Sequence, residues 1–302
     1  MSFLKNIFKQ KKILITHNGT FHADDLFATA TLSILNNGNI KVVRTRDPEM
    51  FEKGDYVYDV GGIYDPEKNK FDHHQKGFDE KRENGIIYSS FGLVWKKFGL
   101  QLTGSEKAML SIDKHLVAPI DAGDNGIDLV ENKYDISQYL IQDFFRIIRP
   151  TWRETDAGID INFLRGVEIA KEILLREITY AKDAILADEA ILSIYQNTKD
   201  KRVIILDKNY AKKEILEKLI ETIYVVYPRE TDHSWGVEAI RKDFRSFENK
   251  KNLPNAWGGL RDKELQNITG VSDAVFCHKA LFMIVSKSKE GAIKLAEKAL
   301  LA

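Results

Sequence analysis

Cys277 is the only cysteine among 302 residues. That excludes an internal disulfide framework and a cysteine-built zinc fold, and it is compatible with a reducing compartment such as the cytoplasm. Charge of one sign is also missing, because 45 Lys and Arg balance 45 Asp and Glu. Bulk charge therefore does not draw nucleic acid, and any phosphate affinity must come from a local patch or from bound metal ions. No apolar run reaches the roughly 18 residues that span a bilayer, so a soluble protein without a membrane partner is expected. The start, Met1 to Lys12, is basic and mildly amphipathic but lacks a small-residue cleavage site, and it reads as a loose arm rather than a signal peptide. Internal repeats, low-complexity tracts and a Gly/Pro-rich linker are absent as well. What remains is a globular composition, 43% hydrophobic and 30% charged, long enough for two ordinary cores.

Ile13-Leu14-Ile15-Thr16 reads as a strand that stops at His17-Asn18-Gly19, and helical periodicity follows from Asp24 to Leu35 before Asn36-Asn37-Gly38. Ile40–Thr45 and Tyr56–Val60 are β-branched or aromatic runs bounded by Asp-Pro and Gly-Gly. Strands alternating with helices imply an α/β domain with a mostly parallel sheet flanked by helices. Helical patterns run over about 86–98, 106–116 and 135–148, with Ala118–Gly126 as a polar junction, and a long periodic stretch covers 161–195. From Arg202 the pattern becomes α+β, with strands expected at Val203–Leu206, Ile223–Tyr227 and Phe282–Val285. The domains expected are therefore 1–155, a linking helical segment at 156–200, and a smaller α+β domain at 201–302.

Four of the seven histidines lie in the first 74 residues, in Thr16-His17-Asn18-Gly19-Thr20-Phe21-His22-Ala23-Asp24-Asp25 and Phe71-Asp72-His73-His74-Gln75. Such groups must be desolvated to pack, so dense clustering points to a binuclear site for Mn, Zn or Fe. In open parallel sheets ligands collect at the carboxyl ends of strands, where His17 and Asp59 fall. The 118–126 junction adds Asp121 and Asp124. Asp25 reads as a helix N-terminal charge rather than a metal contact. Arg44 and Arg46 lie in or beside one strand, and one of them, Arg46, is a phosphate-binding candidate. Taken alone, His115, His233 and His278 read as structural or surface histidines.

Asp72-His73-His74, preceded by Asp59 and by His22-x-Asp24, resembles the DHH phosphoesterase superfamily, which includes RecJ-type exonucleases and manganese pyrophosphatases. The longer strings are similar to the Myg (melanocyte proliferating gene one) family, metal-dependent proteins with 3'–5' RNA exonuclease activity. These strings are Thr16–Asp24, Arg44-Thr45-Arg46-Asp47-Pro48, Asp59-Val60-Gly61-Gly62-x-Tyr64-Asp65-Pro66, Asp72–Gln75, Asp121-Ala122-x-Asp124-Asn125-Gly126 and Leu253-Pro254-x-x-Trp257-x-Gly259-Leu260-Arg261-Asp262. Together the matches span about residues 13 to 301.

The resemblance implies two divalent ions, manganese first, with zinc, iron, cobalt or magnesium as alternatives. His17 and His22 would ligate one, Asp24 would reach its neighbour, and Asp59 would bridge the pair, activating a shared water. His73 would complete the second ion's shell with Asp72 orienting its ring, and His74 would face substrate as phosphate ligand or proton donor. Asp59 and His74 are thus the catalytic candidates. For the remaining ligand Asp124 is chosen over Asp121, which is left as the alternative or as a capping group. The second domain would select substrate, RNA or a short oligonucleotide, through Trp257, Arg261 and His278, with Trp235 also a stacking candidate. The chain departs from the family at Phe282–Lys289, where relatives carry a Gly-Gly-His-like turn. A small phosphorylated substrate (nucleotide, cyclic dinucleotide or pyrophosphate) and a non-catalytic metal-stabilised binding protein are the competing readings. A sheet edge leaves a homodimer open.

Overall fold

Among the described residues, five short strands and six α-helices precede one long helix. In the computed structural model, residues 10–154, 158–210, 213–243 and 247–302 are described. The first elements are β1 (Lys12–Thr16), α1 (Ala23–Leu35), β2 (Ile40–Arg44), α2 (Pro48–Phe51), β3 (Tyr56–Tyr58), β4 (Tyr64–Asp65) and β5 (Lys70–Phe71). They are followed by α3 (Ser90–Thr103), α4 (Glu106–Ile112), α5 (Ala118–Asp124), α6 (Ile141–Arg146) and α7 (Ile159–Asn197). The sheet order is β2-β1-β3-β5-β4, parallel except where β4 turns back on β5. β1 is central, and its Leu14 and Ile15 are both fully buried although they face opposite sides, as expected of a parallel strand covered on both faces. Three adjacent parallel strands, β1, β3 and β5, thus end along one edge, and the residues that follow them are His17, Asp59 and Asp72.

Helix α1 is buried almost all round, with Leu26, Phe27, Ala28, Ala30 and Leu32 inaccessible in the core that also holds Trp95, Phe91 and Phe145. A helix sealed on every side belongs to a core rather than a surface. It starts at His22 because the Asp25 carboxylate accepts from the His22 backbone N–H at 2.8 Å.

Three sequence expectations are corrected. The polar junction at 118–126 is helical: a single π turn, Asp113–Val117, joins α4 to α5. That widened turn accommodates Pro119, which has no N–H to donate, inside a continuing helix. Helix α3 begins at Ser90 rather than 86, because Tyr88 N–H pairs with the Glu80 carbonyl in extended backbone. The expected 135–148 helix shrinks to Ile141–Arg146, with Asp143 capping Leu140 N–H at 3.0 Å; Ile136 and Tyr139 stay exposed, so nothing repays ordering the earlier turn.

The chain divides into two compact units, Met1–Lys182 and Asp183–Ala302, with the boundary inside α7. The second unit contains β6 (Val203–Ile205), α8 (Lys213–Lys218), β7 (Tyr224–Pro228), β8 (Trp235–Ala239), α9 (Asp262–Thr269), β9 (Ala274–Cys277), β10 (Met283–Ser286) and α10 (Lys289–Leu301). Its sheet runs β6-β7-β8-β10-β9, with only β6 and β7 parallel. Strand alternation in β7 feeds two cores: Tyr224 and Val226 on one face, Val225 and Tyr227 on the other. No helix among the described residues is long and apolar enough to cross a membrane.

Candidate metal centre

The edge where β1, β3 and β5 end is closed by the start of α1 and the end of α5, and together they bound a cleft of about 900 Å³. His17, His22, Asp24, Asp59, Asp72, His74, Asp124 and Arg46 line it. His73 joins through its Nε2, 3.2 Å from Asp124 Oδ2. Three sets have donor atoms mutually within 4.8 Å: His17, His22 and Asp59; Asp24, His73 and Asp124; and Asp59, Asp72, His73 and His74. Asp59 and His73 each belong to two of them.

Asp59 occupies a left-handed backbone conformation, φ 56°, directly after β3. Asp tolerates that region better than most residues, and such strain concentrates at functional sites. Its Oδ2 lies 3.1 Å from His17 Nε2, which is also 3.3 Å from Asp25 Oδ2. Burial opposes charge on His17, but the pull of Asp59 and Asp25 outweighs it and raises the imidazole pKa. His22 moves the other way, lowered first by burial and then by Arg149, against the pull of Asp124 and Asp59.

The carboxylates crowd one another. Asp24, Asp25, Asp59, Asp72 and Asp121 are all at most 4% exposed. Burial, then the charges of Asp124, Asp59 and Asp121, push the Asp24 pKa far above the carboxylate range. Burial, then Asp59, lifts Asp25 to about 7. One Asp24 oxygen accepts from Ser89 Oγ and from Phe91 N–H at 2.6 Å; the other, Oδ2, is sealed from solvent with no hydrogen-bond partner. An orphaned buried carboxylate oxygen is costly unless a cation meets it. The donor set, imidazole mixed with carboxylate, suits a divalent transition ion, so the residues fit a metal.

Two sequence expectations are revised by this geometry. Asp72 was expected to orient His73, but its Oδ1 is 2.7 Å from His74 Nδ1 and accepts from the His73 and His74 backbone amides. Its other oxygen accepts from Gly62 N–H, which a left-handed glycine at φ 66° presents. Asp72 therefore holds the ring of His74, whose pKa it raises, while His73 Nδ1 is 3.3 Å from Ser90 Oγ. Asp121 is not brought into the donor sets. Its carboxylate pairs with Arg82 at 2.7 Å and shares the single Ser89 hydroxyl with Asp24, and burial lifts it to about 7 against the pull of Arg82. Gly92 is needed here, because a Cβ at that position would overlap the Asp121 carboxylate.

Asp25 caps α1 as expected, and it also touches His17. Arg44 is a structural cation: it donates to the Gly19 carbonyl, pairs with Asp160 and lies 4.4 Å over the Phe163 ring. Arg46 is on the cleft, 3.4 Å from His17 Nδ1. The other substrate candidates belong to the second unit. Trp257 is 6% exposed in its core, which leaves no ring face for stacking a base. Arg261 lies 4.7 Å over Phe276, and His278 Nδ1 accepts from Ala280 N–H. Sequence reasoning missed Ser89, Arg82, Gln142 and Arg149, ordinary residue types that reach the site from distant positions with no motif to mark them.

Comparison with known proteins places the chain. A family model, MYG1_exonuc, described as "Uncharacterised protein family (UPF0160)", matches residues 13–300. MYG1 exonuclease of Homo sapiens is 30% identical over 316 residues, covering 93% of this chain and 84% of the relative. MYG1 protein C27H6.8 of Caenorhabditis elegans is 31% identical over 320 residues, covering 94% of each. Among solved structures, RecJ in complex with Mn2+ from Thermus thermophilus aligns at 13% identity and a TM-score of 0.29, covering 97% of this chain and 52% of that one. The chain spans about half the length of that RecJ. Matched from its first strand to its last helix by the family model, and by relatives over more than nine-tenths of its length, the chain belongs to the MYG1 exonuclease family.

Proposed function

We propose that this chain is a metal-dependent phosphodiester hydrolase, a 3'–5' exonuclease on RNA or short oligonucleotides. The observation that carries the reading is the orphaned, buried Asp24 Oδ2 inside a set of His and Asp donors that adjoins a second such set. His17, His22 and Asp59 would hold one divalent ion, Mn2+ first, and Asp24, His73 and Asp124 another, with Asp59 able to serve both. Bound there, the ions supply Lewis acidity toward a water and a phosphoryl oxygen. The chain's own groups do the rest. Asp72 fixes the His74 ring, and His74, with its side chain 60% exposed, is free to meet a phosphoryl oxygen or give a proton to the departing one. Arg46 meets phosphate at the cleft. The name borne by the mammalian relatives, MYG1 exonuclease, supports the same chemistry.

A cleft of about 900 Å³ also suits a small ligand, which keeps a nucleotide or pyrophosphate as the second reading. Purified protein with Mn2+, given end-labelled RNA, short oligonucleotides and pyrophosphate, separates the two. Stepwise shortening from the 3' end is expected. Release of phosphate from pyrophosphate alone would overturn the exonuclease reading, and tight metal binding with no hydrolysis at all would leave a binding protein.

A further inference from the structure

Arg149 lines the same cleft as the histidines and aspartates, just beyond α6, and nothing so far gives its charge a task. Its guanidinium is half-buried, and its Nε is sealed from solvent without a hydrogen-bond partner. It lies 5.7 Å from the Phe21 ring, a contact that supplies no counter-charge. The other buried arginines of this unit are matched: Arg82 by Asp113 and Asp121, Arg44 by Asp160. Among the described residues no carboxylate lies within ion-pair distance of Arg149 or of Arg46, which sits beside the His17 ring. A guanidinium stays protonated, and removing it from water without a counter-charge is unfavourable. Burial does lower the Arg149 pKa, and the attraction of Asp25 only partly opposes it. A half-buried Arg149 without a counter-charge and a solvent-exposed Arg46 line the same cleft, an arrangement suited to an anion that arrives from outside. Phosphate is the anion whose geometry the planar fork fits, through two parallel N–H donors.

We infer that Arg149, together with Arg46, binds a phosphate of the substrate other than the one being cleaved, so that the cleft selects substrates carrying at least two phosphate groups. The inference rests on the phosphodiesterase reading. The scissile group is served by the metal donors and His74, whereas Arg149 belongs to none of the three donor sets and bears electrostatically on His22 at the cleft wall. A cleft of about 900 Å³ has room for more than one phosphoryl group. Selection would then begin within the first unit, on the wall formed by α6, which carries Gln142, and the residues just after it.

The test compares three dinucleotides with the same internal bond: one without a terminal phosphate, one with a 5'-phosphate and one with a 3'-phosphate. Wild-type protein with Mn2+ is expected to favour one phosphorylated form in kcat/KM by about ten- to hundredfold, the range for a hydrogen-bonded charge pair. Arg149→Gln should erase that preference, chiefly through KM, and Arg149→Lys should keep part of it. Calorimetric binding of the same dinucleotides in EDTA, where no cleavage occurs, should show the preference in wild type and its loss in Arg149→Gln. The inference is overturned if wild type cleaves all three alike, if Arg149→Gln keeps the preference, or if it lowers all three by one factor. Failure of wild type to cleave any phosphodiester with any divalent ion would instead remove the hydrolase reading itself.

Discussion

The two units solve the problem of polar groups in a core differently. In the first, five aspartates and His17 are buried, packed against one another around one strand edge. In the second, the buried polar residues among those described are Thr222, Ser234, Thr269 and Ser286, and none carries a charge. One acid of that unit, Asp273, is partly exposed and fully employed: it accepts from Ser288 N–H and Oγ, and Ser288 Oγ in turn accepts from Gly291 N–H at the start of α10. One unit holds carboxylates that destabilise each other unless a cation arrives, while the other is assembled as an ordinary apolar core with capped helices. Folding energetics alone would favour the second arrangement, so the first points to chemistry.

The contrast can be broken most sharply at Asp59. Asp59→Asn keeps the size and tolerates the same backbone but removes the charge, and kcat should fall by about a thousandfold, some 4 kcal/mol of transition-state stabilisation. Two ions still bound with normal hydrolysis would show that Asp59 links nothing. Next, Trp257→Ala should destabilise the second unit by about 3–5 kcal/mol, as expected for emptying a core site, and leave kcat nearly unchanged. A raised KM with an unchanged melting curve would make Trp257 a binding surface after all. Third, Mn2+ at about 100 times its Kd should stabilise what it binds by about 2.7 kcal/mol. In hydrogen exchange on the full chain, amides of β1, β3 and β5 should slow on adding metal while those of β7, β8 and β10 do not; equal slowing in both sheets would erase the distinction. Smallest, Ser89→Ala should cost about 1–3 kcal/mol in the metal-free protein, since its hydroxyl serves both Asp24 and Asp121. An unchanged melting temperature would mean those carboxylates find other partners.

Legibility in the sequence followed distance along the chain. His17, His22 and Asp24 sit within eight positions, and Asp72, His73 and His74 are contiguous, so the residue pattern itself shows them as groups. The parallel sheet was readable because β1 and β3 are short apolar runs ending at polar residues, and that placed His17 and Asp59 at one edge. Ser89 and Arg82 were not readable: each becomes meaningful only once α3 and α5 bring it against Asp121. The sequence favours Asp124 over Asp121 on local setting alone; three residues on a helix change which neighbours a side chain meets, and Asp121 meets Arg82 while Asp124 meets His73. The Asp72 partner was misassigned for a similar reason, because the direction of a carboxylate depends on a backbone turn at Gly62 that spacing does not encode.

The left-handed backbone at position 59 narrows what evolution or a library can offer there before any chemistry is tested. Glycine, asparagine and aspartate enter that region cheaply, whereas β-branched and bulky residues do not. Of the three, aspartate alone brings two anionic oxygens. A fully randomised codon at 59 should therefore return folded clones enriched in three amino acids and active clones in one, so that shape and reactivity act as successive sieves on the same alphabet.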